Sequence, residues 1–170
     1  GGSVCINTEG EIVKEMKYFE EDFLLLDTAN IGKPVLQPKT DTIEKIHDAL
    51  VLGIRDYFKK MGFKKATLGL SGGIDSAVTV VLAVRALGAE NVRVLLLPSK
   101  YSSDHSVEDA RQLTENLGIQ YDVMNIQSAL DAFENELSPL FTGTKSDVTE
   151  ENIQARARGI YLMAISNKFG

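Results

Sequence analysis

Two serines, two glycines and an aspartate lie close together near the middle of the chain, in the stretch Ser71-Gly72-Gly73-Ile74-Asp75-Ser76. Glycines leave room for backbone N–H groups to approach an anion, and serines add hydroxyl donors. A helix that begins near Asp75 would add unpaired N–H groups and a partial positive charge of roughly +0.5 at its first turn. The stretch therefore predicts a loop that binds phosphate.

This loop differs from two common phosphate-binding motifs. It lacks the lysine of G-x-x-x-x-G-K-[ST] and the third glycine of the dinucleotide fingerprint. An acid among anion-binding groups would repel phosphate unless a divalent cation lay between them. We therefore predict that Asp75 carries Mg²⁺, which bridges to the phosphates. The alternative is a glycine turn capped by serines, but such a turn does not need two glycines, two serines and an acid together.

The elements around the loop are predicted by short apolar runs that alternate with amphipathic stretches. The pattern predicts strands at 66–70, 92–97 and 121–126, and helices at 41–61, 74–87, 106–117, 127–137 and 150–168. Gly62, Gly88 and Gly118 stand where helix C-terminal caps are expected. This alternation is typical of an α/β fold with a doubly wound parallel sheet and helices on both faces. Ligands bind such sheets at the carboxyl ends of the strands, where the loop lies.

The first part of the chain is less regular. It predicts short strands at 4–6, 11–16 and 23–26, the first two joined by a turn at 7–10. These strands are too few and too short to close a core of their own. Residues 28–39 carry two prolines and a glycine without a clear period, which predicts a linker.

Composition excludes several classes of protein. With 44% hydrophobic and 25% charged residues, the chain is typical of a globular protein, and it has no apolar run long enough to span a membrane. Its first residues do not resemble a secretion signal, so we expect a cytoplasmic location and no membrane partner. The net charge of −6 argues against a nucleic-acid partner, and the single cysteine excludes an internal disulfide.

Three stretches resemble known families. The loop at 71–76 is similar to the pyrophosphate-binding loop of the N-type ATP pyrophosphatases, which cleave ATP to AMP and pyrophosphate and adenylate a carbonyl oxygen. The stretch 97–103, with Ser106 and Asp109 after it, resembles the glutamine-dependent members of the NAD synthetase family. The stretch 151–159 resembles the substrate-binding helix of that family. The resemblance implies an adenine nucleotide alpha hydrolase-like fold.

The resemblance also implies roles for particular residues. ATP would be bound by Gly69, Leu70, Ser71, Gly72, Gly73, Ile74, Asp75 and Ser76, with Mg²⁺ on Asp75. Deamido-NAD would be bound by Arg156 and by Asn152, which lies four residues earlier on the same helix face, whereas Arg158 points elsewhere. A solvated charged face is the alternative interpretation of this helix. Ser102 and Ser103 are either contacts to ATP or helix caps.

The implied reaction is the ATP-dependent amidation of deamido-NAD to NAD through an adenylated intermediate, catalysed by a carbon–nitrogen ligase. Ammonia would come from glutamine or from solution, and AMP and pyrophosphate would be released. No acid–base catalytic residue is identifiable, because such chemistry depends mainly on alignment and charge neutralisation. Because members of the family form dimers, the resemblance also implies a homo-oligomer.

The resemblance divides the chain into three parts. Residues 1–27 are similar to the last strands of a nitrilase-like amidase domain, 28–40 to a linker, and 41–170 to the first part of the synthetase domain. Under this interpretation, the catalytic residues of the amidase precede this sequence. A further phosphate-contacting loop, a metal-binding acid and a substrate lysine follow it.

Besides a dimerisation scaffold, which rests only on the family habit of forming dimers, the sequence leaves two alternative functions open. One is another ATP pyrophosphatase ligase, either GMP-synthetase-like or tRNA-modifying, although a tRNA enzyme would be expected to carry a basic surface. The other is a non-catalytic adenine-nucleotide-binding module, against which Asp75 and Ser76 argue. His47 and His105 are expected at the surface, and Cys5 is expected to be a buried structural residue.

Overall fold

The structure is a computed structural model that describes residues 1–29, 32–34, 41–100 and 102–169, without the side chain of Asp104. The chain divides into two compact units, Gly1–Gly53 and Ile54–Gly170. None of the described helices is long and apolar enough to cross a membrane.

The first unit contains an antiparallel hairpin of β1 (Val4–Ile6) and β2 (Ile12–Glu15), which confirms that prediction. In its turn, Asn7 Oδ1 accepts the Glu9 and Glu11 N–H groups at 3.0 and 2.8 Å. The strand predicted at 23–26 is wrong, because this stretch has no regular secondary structure and pairs with no described strand. An apolar run becomes a strand only where a neighbour completes its hydrogen-bond ladder.

Helix α1 (Thr42–Met61) begins and ends where the sequence predicts. Asp41 Oδ1 accepts the N–H group of Ile43 at 3.0 Å, which caps the first turn. Gly62 follows the helix with φ +73°, a conformation that favours glycine. Most of the predicted linker, at 30–31 and 35–40, lies outside the described residues.

The second unit is built on a parallel sheet in the order β3–β4–β5. Its strands are β3 (Ala66–Gly69), β4 (Val92–Leu96) and β5 (Gln120–Val123). Its helices are α2 (Ile74–Leu87), α3 (Asp104–Leu117), α4 (Gln127–Leu137) and α5 (Val148–Phe169), with a short 3₁₀ turn at Ala89–Asn91. Gly88 and Gly118 are the C-terminal caps of α2 and α3, as predicted.

Two kinds of boundary differ from the prediction. Helices α3 and α5 begin two residues earlier than predicted, since their caps come earlier in the sequence. Strand β5 ends at Val123, although the Met124 and Ile126 N–H groups still donate to the Leu96 and Pro98 carbonyls at 2.9 and 3.0 Å. The segment after β5 therefore stays attached to the end of β4 without regular strand geometry.

The central strand β4 separates two apolar clusters. Val92, Val94 and Leu96 face a cluster that includes Val80 of α2 and Ala110 of α3. Leu95 and Leu97 face the other cluster, which includes residues of α4 and α5. Because alternate residues of a strand point to opposite faces, helices cover both faces of the sheet. The predicted doubly wound α/β fold is confirmed.

Candidate functional site

A cavity of about 450 Å³ lies at the carboxyl ends of β3 and β4. Four segments form its wall: the end of β3, the end of β4, the start of α3 and one face of α5. The lining residues are Gly69, Leu70, Ser71, Leu95, Leu96, Leu97, Pro98, Ser102, Ser103, Ser106, Val107, Arg158 and Leu162. This is the sheet edge at which parallel α/β folds bind ligands.

The predicted phosphate loop joins this cavity to helix α2. Gly69, Leu70 and Ser71 belong to the cavity wall, and 72–76 continue from it into the first turn of the helix. Ser71 Oγ and Ser76 Oγ lie 3.0 Å apart, and Ser76 Oγ donates to the Gly73 carbonyl at 2.9 Å. The Gly73 N–H donates to Ser71 Oγ at 3.3 Å. The two serine side chains therefore fix the shape of the loop.

The N-terminus of α2 has no side-chain cap. Its N-cap residue is Gly73, and the first helical hydrogen bond runs from the Ala77 N–H to the Gly73 carbonyl at 3.1 Å. The N–H groups of the three preceding residues, 74–76, therefore have no acceptor within the helix. Unpaired donors at the positive end of a helix dipole are suited to bind an anion.

Gly72 is required by the close approach of α3. Its φ is +80°, and a Cβ atom at this position would lie 2.2 Å from the Ser106 carbonyl oxygen. Any side chain there would force the loop and the start of α3 apart. The contact therefore brings the first turns of α2 and α3 side by side.

The start of α3 is held by its own serines. Ser103 is the N-cap, and its Oγ accepts the Ser106 N–H at 3.2 Å. The Ser103 and Ser106 hydroxyls are 2.8 Å apart, and Ser102 Oγ accepts the Ser99 N–H at 3.0 Å. The capping interpretation of Ser103 is confirmed, although Ser102, Ser103 and Ser106 also line the cavity.

Arg158 lies in the cavity wall, on a different face of α5 from Asn152 and Arg156, as its spacing predicts. Its Nε donates to the Leu97 carbonyl at 3.3 Å, and burial lowers the pKa of its guanidinium group. Helical phase could have indicated that Arg158 lies in the cavity wall. It directly follows Ala157, which is buried, and it lies one turn before Leu162.

Asn152 and Arg156 lie away from the cavity. Both are exposed on α5, and neither belongs to the cavity wall. They share a helix face, as their spacing predicts, but the structure does not bring that face to the phosphate loop. His105 is exposed, His47 contacts Asp48 at 2.9 Å, and Cys5 is half-buried rather than buried.

The chemistry of Asp75 fits a magnesium ion that substrate oxygens help to hold. The side chain is exposed in the first turn of α2, and no hydrogen bond or ion pair uses its carboxylate within the described part of the chain. The described residues contain no group of three or more His, Cys, Asp or Glu residues able to hold a metal by themselves. Mg²⁺ often takes only one or two carboxylates and completes its shell with substrate phosphates and water.

Comparison with known proteins decides the family. Residues 46–170 match the family model described as NAD synthase. The chain belongs to the NAD synthase family. It is 46% identical to a glutamine-dependent NAD(+) synthetase of Synechocystis sp., over 100% of this chain and 31% of that protein. The chain thus spans about a third of the length of the relatives it matches.

Solved NAD synthase structures give the same fold. A glutamine-dependent NAD⁺ synthetase from Acinetobacter baumannii, in complex with ADP, matches with a TM-score of 0.90 and 42% identity, over 96% of this chain and 32% of that one. An NMN synthetase from Francisella tularensis matches with a TM-score of 0.69 and 32% identity, over 76% of this chain and 52% of that one. The same fold is therefore associated with a dinucleotide product in one relative and a mononucleotide product in another.

Proposed function

We propose that this chain binds ATP for the amidation of deamido-NAD to NAD by an NAD synthase. The reaction passes through an adenylated intermediate and releases AMP and pyrophosphate, with ammonia from glutamine or from solution. The observation that supports this most is the uncapped N-terminus of α2 beside a cavity at the edge of the sheet. The similar enzyme of Acinetobacter baumannii was solved with ADP, which supports an adenine nucleotide as the ligand.

In the first step, a carboxylate oxygen of the nicotinate ring attacks the α-phosphorus of ATP, and the bond to the pyrophosphate oxygen breaks. Negative charge then grows on the leaving pyrophosphate. The hydroxyls of Ser71 and Ser76 fix the loop before the reaction, so the free N–H groups at 74–76 stabilise this charge without reorganisation. Mg²⁺ on Asp75 would supply further charge neutralisation at the phosphates.

In the second step, ammonia attacks the activated carbonyl carbon, AMP leaves with the electron pair of the broken bond, and a proton is released. The protein's contribution here is to hold the adenylate and to exclude water, because water would hydrolyse the adenylate back to deamido-NAD and AMP. The apolar wall at 95–97 is suited to the second task, because these residues are buried.

The ATP-binding role extends to all eight residues at 69–76, with Asn152 and Arg156 as contacts to deamido-NAD. A cavity of about 450 Å³ is in the range that suits one nucleotide-sized ligand. Deamido-NAD would therefore extend beyond the cavity. The exposed side chains of α5 are accessible to the part of deamido-NAD that lies outside the cavity. Three expectations stay predictions: the division of the chain at 27 and 40, the homo-oligomer and the cytoplasmic location.

The test is a set of calorimetric titrations in the presence of Mg²⁺ and α,β-methylene ATP, an analogue that cannot release pyrophosphate. We expect deamido-NAD to bind and to bind more weakly to an Arg156→Met variant. The first competitor is the corresponding mononucleotide, because one similar solved structure is an NMN synthetase. Tighter binding of that mononucleotide, or of xanthosine monophosphate, would contradict the proposed substrate.

A further inference from the structure

Arg158 is a charged residue within a wall that is otherwise neutral. Among the described residues that line the cavity, it is the only one that carries a charge. It takes part in no ion pair within the described part of the chain, where five other ion pairs are found. A cation that faces a cavity without an acid beside it is suited to an anionic ligand.

The side chain is fixed through one of its nitrogens. Nε donates to the Leu97 carbonyl at the end of β4, at 3.3 Å. The two terminal nitrogens of a guanidinium group then remain for other acceptors. One turn later, Leu162 lies against Gly69, since a Cβ atom on Gly69 would be 3.4 Å from Leu162 Cδ1. The contacts at Leu97 and Gly69 thus hold α5 against the carboxyl ends of both strands.

The surroundings of Arg158 disfavour an unpaired charge. The residue is half-buried, and burial lowers the pKa of its guanidinium group, which means that its charged form is less stable there than in water. An anion in the cavity would reverse this effect, because opposite charges stabilise each other strongly where water is excluded. A negatively charged ligand would therefore stabilise the charged form of Arg158.

The position of Arg158 selects one part of the nucleotide, if the proposed function holds. The pyrophosphate end of ATP would lie on the loop at 71–76, and the nucleoside against the apolar end of β4. The α-phosphate would then lie between them, near the start of the loop. Leu97, to which Arg158 is bonded, and Ser71 of the loop line the same cavity.

We propose that the terminal nitrogens of Arg158 bind the α-phosphate, the group that is attacked in the first step. Arg158 would then bind AMP as well as ATP, and it would stabilise the charge of the adenylate. This role differs from that of Arg156, which is assigned to the second substrate on another face of α5.

Arg158→Met tests the proposal, because methionine keeps the length and apolar stem of the side chain but removes the charge. Hydrogen bonds to charged groups contribute about 1.5–3 kcal/mol, so we expect the affinities for ATP and AMP to fall by about 10- to 100-fold. Inorganic pyrophosphate should bind as it does to the wild-type chain. Arg85→Met is the matched control, since Arg85 is exposed in the last turn of α2, and its loss should leave all three affinities unchanged.

Arg158→Lys covers the case in which Arg158→Met fails to fold. Lysine keeps the charge, but a single nitrogen cannot contact both the Leu97 carbonyl and a phosphate as the guanidinium group does. We expect a smaller loss of AMP affinity, of about 3- to 10-fold. Unchanged AMP affinity in either folded variant would overturn the proposal, and so would a loss confined to ATP and pyrophosphate. Absence of ATP binding by the wild-type chain would instead overturn the proposed function itself.

Discussion

Helices α2 and α3 both begin at the carboxyl edge of the sheet, yet their first turns are completed differently. Gly73 begins α2 without a side-chain cap. Ser103 begins α3 and accepts the Ser106 N–H at 3.2 Å. A serine at the N-cap stabilises a helix by about 1 kcal/mol relative to a residue that cannot cap. Relative to glycine, the difference is only a few tenths of a kcal/mol. The chain therefore satisfies the donors of α3 internally and keeps those of α2 available.

This difference shows how two serine-containing loops can be distinguished. In the loop before α2, Ser71 and Ser76 bond to each other and to Gly73, which leaves the helix N–H groups unused. In the loop before α3, the serine at the N-cap bonds to the helix itself. The glycine at the N-cap, rather than the number of serines, marks the turn that is suited to an external anion.

The largest expected effect on stability and ATP binding comes from Gly72→Ala, which would push the first turns of α2 and α3 apart. The new Cβ atom would lie 2.2 Å from the Ser106 oxygen, and φ is +80°. Steric overlap and the left-handed conformation together should lower the free energy of unfolding by about 2–4 kcal/mol. Urea denaturation would measure this. We also expect ATP binding to be lost.

Gly143→Ala is the matched control for that experiment. Gly143 has φ +84°, but a Cβ atom there would meet nothing within 4 Å. Its substitution should cost only the conformational part, about 1 kcal/mol, and leave ATP affinity intact. Equal effects of the two substitutions would show that the contact between Gly72 and Ser106 does not hold the site together.

Gly73→Asp would make the first turn of α2 resemble that of α3. The backbone at Gly73 is extended, with φ −83°, so a side chain is tolerated there. The new carboxylate would accept the free N–H groups and oppose a phosphate. We expect unchanged or slightly higher stability, by a few tenths of a kcal/mol, but at least about tenfold weaker ATP binding. Gly73→Ser, which adds a cap without charge, should weaken ATP binding less; an effect as large as that of Asp would rule out charge as the cause.

Ser103→Ala would remove the cap of α3 and so test the other half of the comparison. The expected cost is about 1 kcal/mol of stability, measured by thermal or urea denaturation. ATP affinity should change by less than about threefold, because the hydroxyl is used within the helix. Ser103→Asp should restore the stability. If ATP affinity fell strongly while stability stayed the same, Ser103 would be a ligand contact rather than a cap.

The smallest expected effect concerns α5, which begins with a third kind of cap. Asp147 accepts the Thr149 N–H at 2.8 Å, and Glu150 accepts the Asp147 N–H at 2.8 Å. These backbone hydrogen bonds lower the pKa of both carboxyls. The folded chain therefore binds fewer protons than the unfolded chain, and this stabilisation is lost as the pH falls below the ordinary pKa values of the two residues.

Thermal denaturation across the acidic range would detect this loss. Asp147→Asn keeps an acceptor at the cap but does not titrate, so its stability should depend less on pH than that of the wild-type chain. Identical pH profiles for the two proteins would contradict this account of the cap.

Much of the fold can be predicted from local signals. Helix α2 (Ile74–Leu87) was predicted with its correct bounds because glycines flank a continuous helical stretch, and helix α4 (Gln127–Leu137) because its apolar positions recur with helical period. The phosphate loop was recognised because its residue types are unusual at a strand-to-helix junction. These features depend on residues close together in the sequence.

The features that cannot be predicted from the sequence depend on distant partners. The apolar run at 23–26 has strand composition, but it pairs with no described strand. The direction of Arg158 depends on which face of α5 packs on the sheet, and this helix has apolar residues on more than one face. Periodicity cannot select among several apolar faces, so contacts such as that of Arg158 with Leu97 become visible only in the folded chain.

The central claim is that the uncapped start of α2 and its cavity bind the phosphates of ATP. Calorimetric titration of the wild-type chain with ATP and with adenosine, each with and without Mg²⁺, tests it most directly. We predict saturable binding of ATP that is stronger with Mg²⁺, much weaker binding of adenosine, and loss of the Mg²⁺ effect in an Asp75→Asn variant. Equal affinities for ATP and adenosine, or no binding of ATP, would contradict the claim.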